Sequence, residues 1–135
     1  MPDYKNILTD TIYNLESSEG QNRAAYKPNR YKALGGFQLT PDAFSEVQKL
    51  NPQWKGQNFS TVATNDVLAR EAASDYLKVL ARQFSRLGIP LTNENLLLAY
   101  HSGAGNVKKG TIGKYGRQYQ ARARALAGIK PGEVW

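Results

Sequence analysis

The stretch from Asn65 to Gly88 constrains this chain most. Val67, Leu68, Ala72, Ala73, Tyr76, Leu77, Leu80, Ala81, Phe84 and Leu87 recur there at three- and four-residue intervals. That spacing predicts one long helix with a continuous apolar stripe, opened by Asn65-Asp66 and stopped by Gly88. The stripe must be buried, so it reads as core, and a mainly α fold follows.

The remaining elements fit around it. Tyr4, Ile7, Leu8, Ile12 and Leu15 follow helical spacing and predict a first helix from about Asp3 to Leu15, with Glu16 at its C-terminal end. Residues 19–31 are polar and contain Gly20, Asn22, Pro28 and Asn29, which predicts an irregular loop or short hairpin able to form one wall of a cleft. Thr40-Pro41-Asp42 is a helix start: the threonine caps, proline presets the first turn and aspartate suits the positive helix end. That helix is expected to end near Leu50, before Asn51-Pro52. The segment on to Thr64 reads as a loop anchored by Trp54 and Phe59. Thr92 caps another helix containing Leu96 to Ala99, Gly103 and Gly105 interrupt the chain, and a last amphipathic helix is predicted from Tyr115 to Leu126. Residues 1–130 read as one domain and 131–135 as a C-terminal tail or linker.

Composition narrows the chemistry. With 135 residues the chain can bury one core without a staple, and with no cysteine it has neither disulfide, thiolate metal site nor thiol nucleophile. A single histidine, His101, argues against a metal centre, and no cofactor is implied. The net charge of +7 is concentrated: residues 1–100 hold eleven basic and ten acidic side chains, residues 101–135 seven and one. Lys108, Lys109, Lys114, Arg117, Arg122, Arg124 and Lys130 would draw this third toward a polyanion, although singly each fits a solvated helix face. Aromatic residues are not interleaved there in a base-stacking pattern, which argues against nucleic acid. The longest apolar run, Leu96 to Tyr100, is far short of the roughly 20 residues that span a bilayer. Residues 1–6 lack a basic segment followed by an apolar one, so no secretory signal is expected.

Three motifs carry the candidate chemistry. Glu16-Ser17-Ser18 supplies a carboxylate at a helix end, with Phe37, Leu39 and Tyr100 as residues able to desolvate it. Cleaving a glycosidic bond needs a proton on the leaving oxygen, and a carboxylic acid in such surroundings can hold one. Gly35-Gly36-Phe37-Gln38-Leu39-Thr40-Pro41 reads as a turn into a capped helix, or as glycine backbone and a glutamine amide addressing a sugar. Ala99-Tyr100-His101-Ser102-Gly103-Ala104-Gly105-Asn106-Val107 is a tyrosine-bearing glycine loop.

In order and approximate spacing these pieces resemble the soluble lytic transglycosylases, a family of lysozyme-like peptidoglycan enzymes. The family pattern runs Glu-Ser, Gly-Leu-Met-Gln-Leu-Met-Pro and Ala-Tyr-Asn-Ala-Gly-Pro-Gly-Asn-Val, and Gly116-Arg117-Gln118-Tyr119 is similar to its Thr-Arg-Asn-Tyr. The resemblance spans about residues 8–126. His101 stands where the family carries asparagine and Ala104 where it carries proline. The resemblance implies a lysozyme-like helical domain that cleaves the β-1,4 bond between N-acetylmuramic acid and N-acetylglucosamine. Glu16 would be the general acid and base, with Ser17, Gln38, Tyr100, His101 and Tyr119 as substrate-binding or orienting residues. His101 and Tyr119 also read as structural residues, a satisfied histidine and a buried aromatic.

Many glycosidases use two carboxylates. Glu19 and Asp42 are the candidates near these motifs, and each reads better as an ordinary surface charge. The resemblance implies a different solution, in which the substrate's acetamido group assists and its own 6-hydroxyl replaces water. Two rivals stand beside this expectation: a true lysozyme with Glu19 or Asp42 as base, and a non-catalytic virion component on the same fold. The implied partners are peptidoglycan glycan strands and, for a bacteriophage protein, other virion proteins, with no membrane insertion. A wall-cutting enzyme without a signal is expected in a phage virion or the host cytoplasm, acting on the wall in the periplasm or outside.

Overall fold

Thr40 does what its sequence context predicts: its Oγ1 accepts a hydrogen bond from the Ala43 N–H at 3.1 Å, and Pro41 begins a helix that runs to Leu50. This is α2 (Pro41–Leu50) of the computed structural model, which describes residues 4–28 and 32–134. The expected helix start at Asp3, the side chains of Tyr4 and Ile7, and Asn29, Tyr31 and Trp135 lie outside the described residues and side chains. The other α-helices are α1 (Tyr4–Ser17), α3 (Phe59–Thr64), α4 (Asp66–Leu87), α5 (Asn93–Ser102), α6 (Ala104–Lys109) and α7 (Gly113–Ala127). Among the described residues the protein is mainly α and has no strand, only the isolated bridges Leu34 to Leu39 and Thr92 to Val134.

The chain divides into two compact units, Ile12–Val79 and Met1–Thr11 with Leu80–Trp135, so α1 and α4 each contribute to both. In the first, Ile12, Phe37, Leu39, Val47, Val62 and Leu77 are almost fully buried. Trp54 is also buried, ends a 3-10 turn over Pro52–Trp54, and donates its indole N–H to the Asp75 carboxylate at 2.8 Å. In the second, Leu80, Phe84, Leu96, Leu97 and Ala99 are buried, and α5 packs against α6 and α7. Burying a large aliphatic or aromatic side chain contributes about 1.5–3 kcal/mol, so these residues dominate each unit's stability.

Several expectations change. Val67 is 71% exposed and Leu87 40% exposed, so the ends of the predicted stripe are not core; Ala69, which the stripe leaves out, is fully buried. The segment after α2 is partly helical. Asn58 accepts from Thr61 N–H at 3.1 Å and starts α3, a short helix that a search for long apolar periods passes over. Gly103 breaks the chain with φ +85°, whereas Gly105 lies within α6. The C-terminal segment is tied down: Asn93 N–H donates to the Glu133 carbonyl at 2.8 Å, and Ile129 is buried. No described helix is long and apolar enough to cross a membrane.

Candidate functional site

Glu16 lies inside the last turn of α1, one residue further into the helix than the spacing predicts, and is half-buried. The helix ends on three consecutive left-handed residues, Ser18 (φ +52°), Glu19 (φ +58°) and Gly20 (φ +81°). Non-glycine residues pay for that conformation, and neighbouring bonds must hold it. Ser17 supplies two of them. Its buried hydroxyl donates to the Tyr13 carbonyl at 3.1 Å and accepts from Gly20 N–H at 2.9 Å. The backbone adds Glu19 N–H to the Tyr13 carbonyl at 3.2 Å and Ser18 N–H to the Asn14 carbonyl at 2.9 Å. Ser17, expected to touch substrate, is thus the capping residue of the helix that carries Glu16.

The polar segment that follows forms a 3-10 helix over Arg23–Tyr26, with Arg23 4.0 Å from the Tyr26 ring centroid. Gln38 also adopts left-handed backbone, φ +47°. Its Nε2 donates to the carbonyls of Ala25 and Gly35, both at 3.0 Å, so the amide hydrogens hold the turn to the 3-10 helix. The two glycines before it serve the protein's own packing. A Cβ on Gly35 would fall 1.6 Å from the Ala63 carbonyl oxygen of α3. One on Gly36 would fall 2.6 to 2.9 Å from Tyr13, Tyr26 and Asp66.

Those last three residues form a cluster that the motifs do not mention. Asp66, the first residue of α4, accepts hydrogen bonds from the Tyr13 hydroxyl at 2.7 Å and the Tyr26 hydroxyl at 2.7 Å. The Asp66 bond, with burial and the carboxylate's charge, raises the Tyr13 pKa above 10; burial and then the same bond raise that of Tyr26. Tyr13 stacks on Phe37 with centroids 4.8 Å apart, and the Arg70 guanidinium lies 5.3 Å from the Phe37 centroid. Tyr13, Phe37, Asp66, Val67, Arg70 and Glu71 line an open groove of about 310 Å³. Tyr13 stands three residues before Glu16, and that spacing was the sequence signal that could have drawn attention to it. Asp66 reads in the sequence only as a helix opening.

The other motif residues belong to the second unit. Tyr100 is half-buried in the last turn of α5, and His101 follows it with an exposed edge. The His101 and Tyr119 rings approach to 4.4 Å between centroids, so residues far apart in the sequence meet. Partial desolvation lowers the His101 pKa below 6.5, and its Nδ1 lies 3.0 Å from the Ser102 hydroxyl. Gly116 leaves room at the start of α7 for Ile112 and the end of α5, since a Cβ there would fall 2.6 Å from Ile112 and 3.3 Å from the Ser102 hydroxyl. Asn106 of α6 donates to the Ser102 carbonyl at 2.7 Å and accepts from the Thr111 hydroxyl at 2.9 Å, joining the end of α5 to the segment that leads into α7.

Glu19 and Asp42 are both exposed. Of the basic residues in the last third, Arg124 pairs with the buried carboxylate Glu94, while the other six are exposed around α6, α7 and beyond. Among the described residues no group of three or more histidine, aspartate or glutamate side chains is placed to share a metal ion. Comparison with protein-family models, with curated proteins and with solved structures returns no match to this chain.

Proposed function

We propose that this protein is a peptidoglycan lytic transglycosylase with Glu16 as its one general acid and base. The observation that carries the reading is the placement of Glu16. It is a half-buried carboxylate in the last turn of a helix whose end is held in a strained left-handed conformation by Ser17 and the Tyr13 carbonyl. Strain of this kind persists where surrounding structure over-determines it, and it clusters at functional sites. Gln38 and Ser17 then serve as fixtures of the turn and helix end around the acid. Tyr100, His101 and Tyr119 are assigned the substrate contacts that the motif resemblance implies.

The chemistry balances with one carboxyl group. Glu16 gives its proton to the glycosidic oxygen as the bond from C1 of N-acetylmuramic acid to that oxygen breaks, and N-acetylglucosamine leaves with a free 4-hydroxyl. The acetamido group at C2 stabilises the cationic carbon. The Glu16 carboxylate then takes the proton from the 6-hydroxyl, whose oxygen bonds to C1 to form a 1,6-anhydro ring. The acid is regenerated and no water is consumed.

Mass spectrometry of muropeptides released from purified peptidoglycan tests this directly. Anhydro-terminated products from the wild type and none from Glu16→Gln are expected. Reducing ends in place of anhydro sugars would replace the proposal with a hydrolytic lysozyme. Equal clearing, or equal absence of clearing, by wild type and Glu16→Gln in zymograms would remove Glu16 from any catalytic role. The envelope is polyanionic, so the exposed basic residues of the last third would favour association at low ionic strength.

A further inference from the structure

Tyr13 is bound at both ends. Its carbonyl receives the Ser17 hydroxyl and the Glu19 N–H, the two bonds that close α1 across Glu16. Its hydroxyl donates to Asp66, which also holds Tyr26 at the end of the 3-10 helix. Gly36 has no room for a Cβ beneath this group, so the turn containing Gln38 is pressed against the same three side chains. One carboxylate therefore joins the helix end bearing Glu16, the 3-10 helix and the glycine turn, through short bonds spanning 53 and 40 residues of sequence.

We propose that Asp66 is the positioning residue of the site: by anchoring the Tyr13 and Tyr26 hydroxyls it sets the helix end and hence the carboxylate of Glu16. The proposal rests on the catalytic reading of Glu16. Asp66 acts through Tyr13 and does not itself touch the sugar. Loss of the anchor frees α1 to relax at its strained end, and displacement of an acid by about 1 Å lowers turnover on the order of a hundredfold.

The test compares wild type, Asp66→Asn, Tyr13→Phe and Asp75→Asn. The last weakens the Trp54 and Asn51 bonds elsewhere in the unit and serves as a destabilised control. For each, kcat and KM on peptidoglycan are measured well below the melting transition, and tyrosine ionisation is followed by absorbance at alkaline pH. Asp66→Asn and Tyr13→Phe are expected to lower kcat on the order of a hundredfold with KM changed by less than about twofold. Asp66→Asn is also expected to bring the tyrosine titration toward 10, while Asp75→Asn keeps the wild-type kcat. Wild-type kcat in Asp66→Asn, or an equal loss in Asp75→Asn, overturns the positioning role. A wild type without turnover, or turnover that survives Glu16→Gln, overturns the reading of Glu16 and the positioning role with it, and differs by appearing before any Asp66 variant is made.

Discussion

The His101 imidazole and the Tyr119 phenol ring lie 4.4 Å apart between centroids, tilted by 35°. Tyr119 is buried and His101 keeps one edge in solvent, so the histidine is desolvated on one side only. The neutral imidazole is thereby favoured in the folded chain, and its pKa falls below 6.5. Its contribution to stability is complete above pH 6.5 and is lost as the pH falls through the lowered value. With one histidine in the chain, a single NMR titration reads the effect: a midpoint below 6.5 is expected, returning toward 6.5 in Tyr119→Ala.

The tyrosines on Asp66 act at the other end of the pH scale. Both pKa values are raised above 10, so the folded state keeps protons that the unfolded chain releases. Their contribution is complete below pH 10 and is lost as the pH rises through the raised values. Urea midpoints for wild type should therefore fall more steeply above pH 10 than those of a Tyr13→Phe, Tyr26→Phe double variant.

Gly35→Ala is expected to destabilise by about 4 kcal/mol or more, because its Cβ would overlap the Ala63 carbonyl and the backbone is left-handed. Gly56→Ala meets no atom within 4 Å and pays for φ +77° alone, roughly 1–2 kcal/mol. Denaturant unfolding of the two variants separates collision from backbone strain.

Asp75→Ala should cost about 3 kcal/mol by urea unfolding, since it leaves the buried indole N–H of Trp54 and the Asn51 amide without their shared acceptor. Asp75→Asn retains an acceptor oxygen and should cost less.

Thr40→Ala should cost about 1 kcal/mol of the same unfolding free energy by removing the cap on α2. This helix was legible from the sequence at both ends, because Thr40-Pro41 and Asn51-Pro52 act through local bonds. The same holds for the cap of α5, where Thr92 Oγ1 accepts from Asn95 N–H at 3.1 Å. What local pattern does not carry is contact between distant segments. The exposure of Val67 follows from where α4 meets its neighbours, and the pairing of Asp66 with Tyr13 and Tyr26 spans gaps that no periodicity records. Hence Glu16, Gln38 and Tyr119 were visible as motif members, whereas the internal bonds of Ser17 and Gln38 required the folded chain.

The left-handed end of α1 has a consequence for protein engineering. Ser18→Gly and Glu19→Gly would each relieve backbone strain worth roughly 1–2 kcal/mol. The melting temperature would rise while the same exchange gave the chain after Glu16 more conformations to visit. Selection for heat resistance alone would favour these two replacements, and selection for a fixed Glu16 carboxylate would discard them.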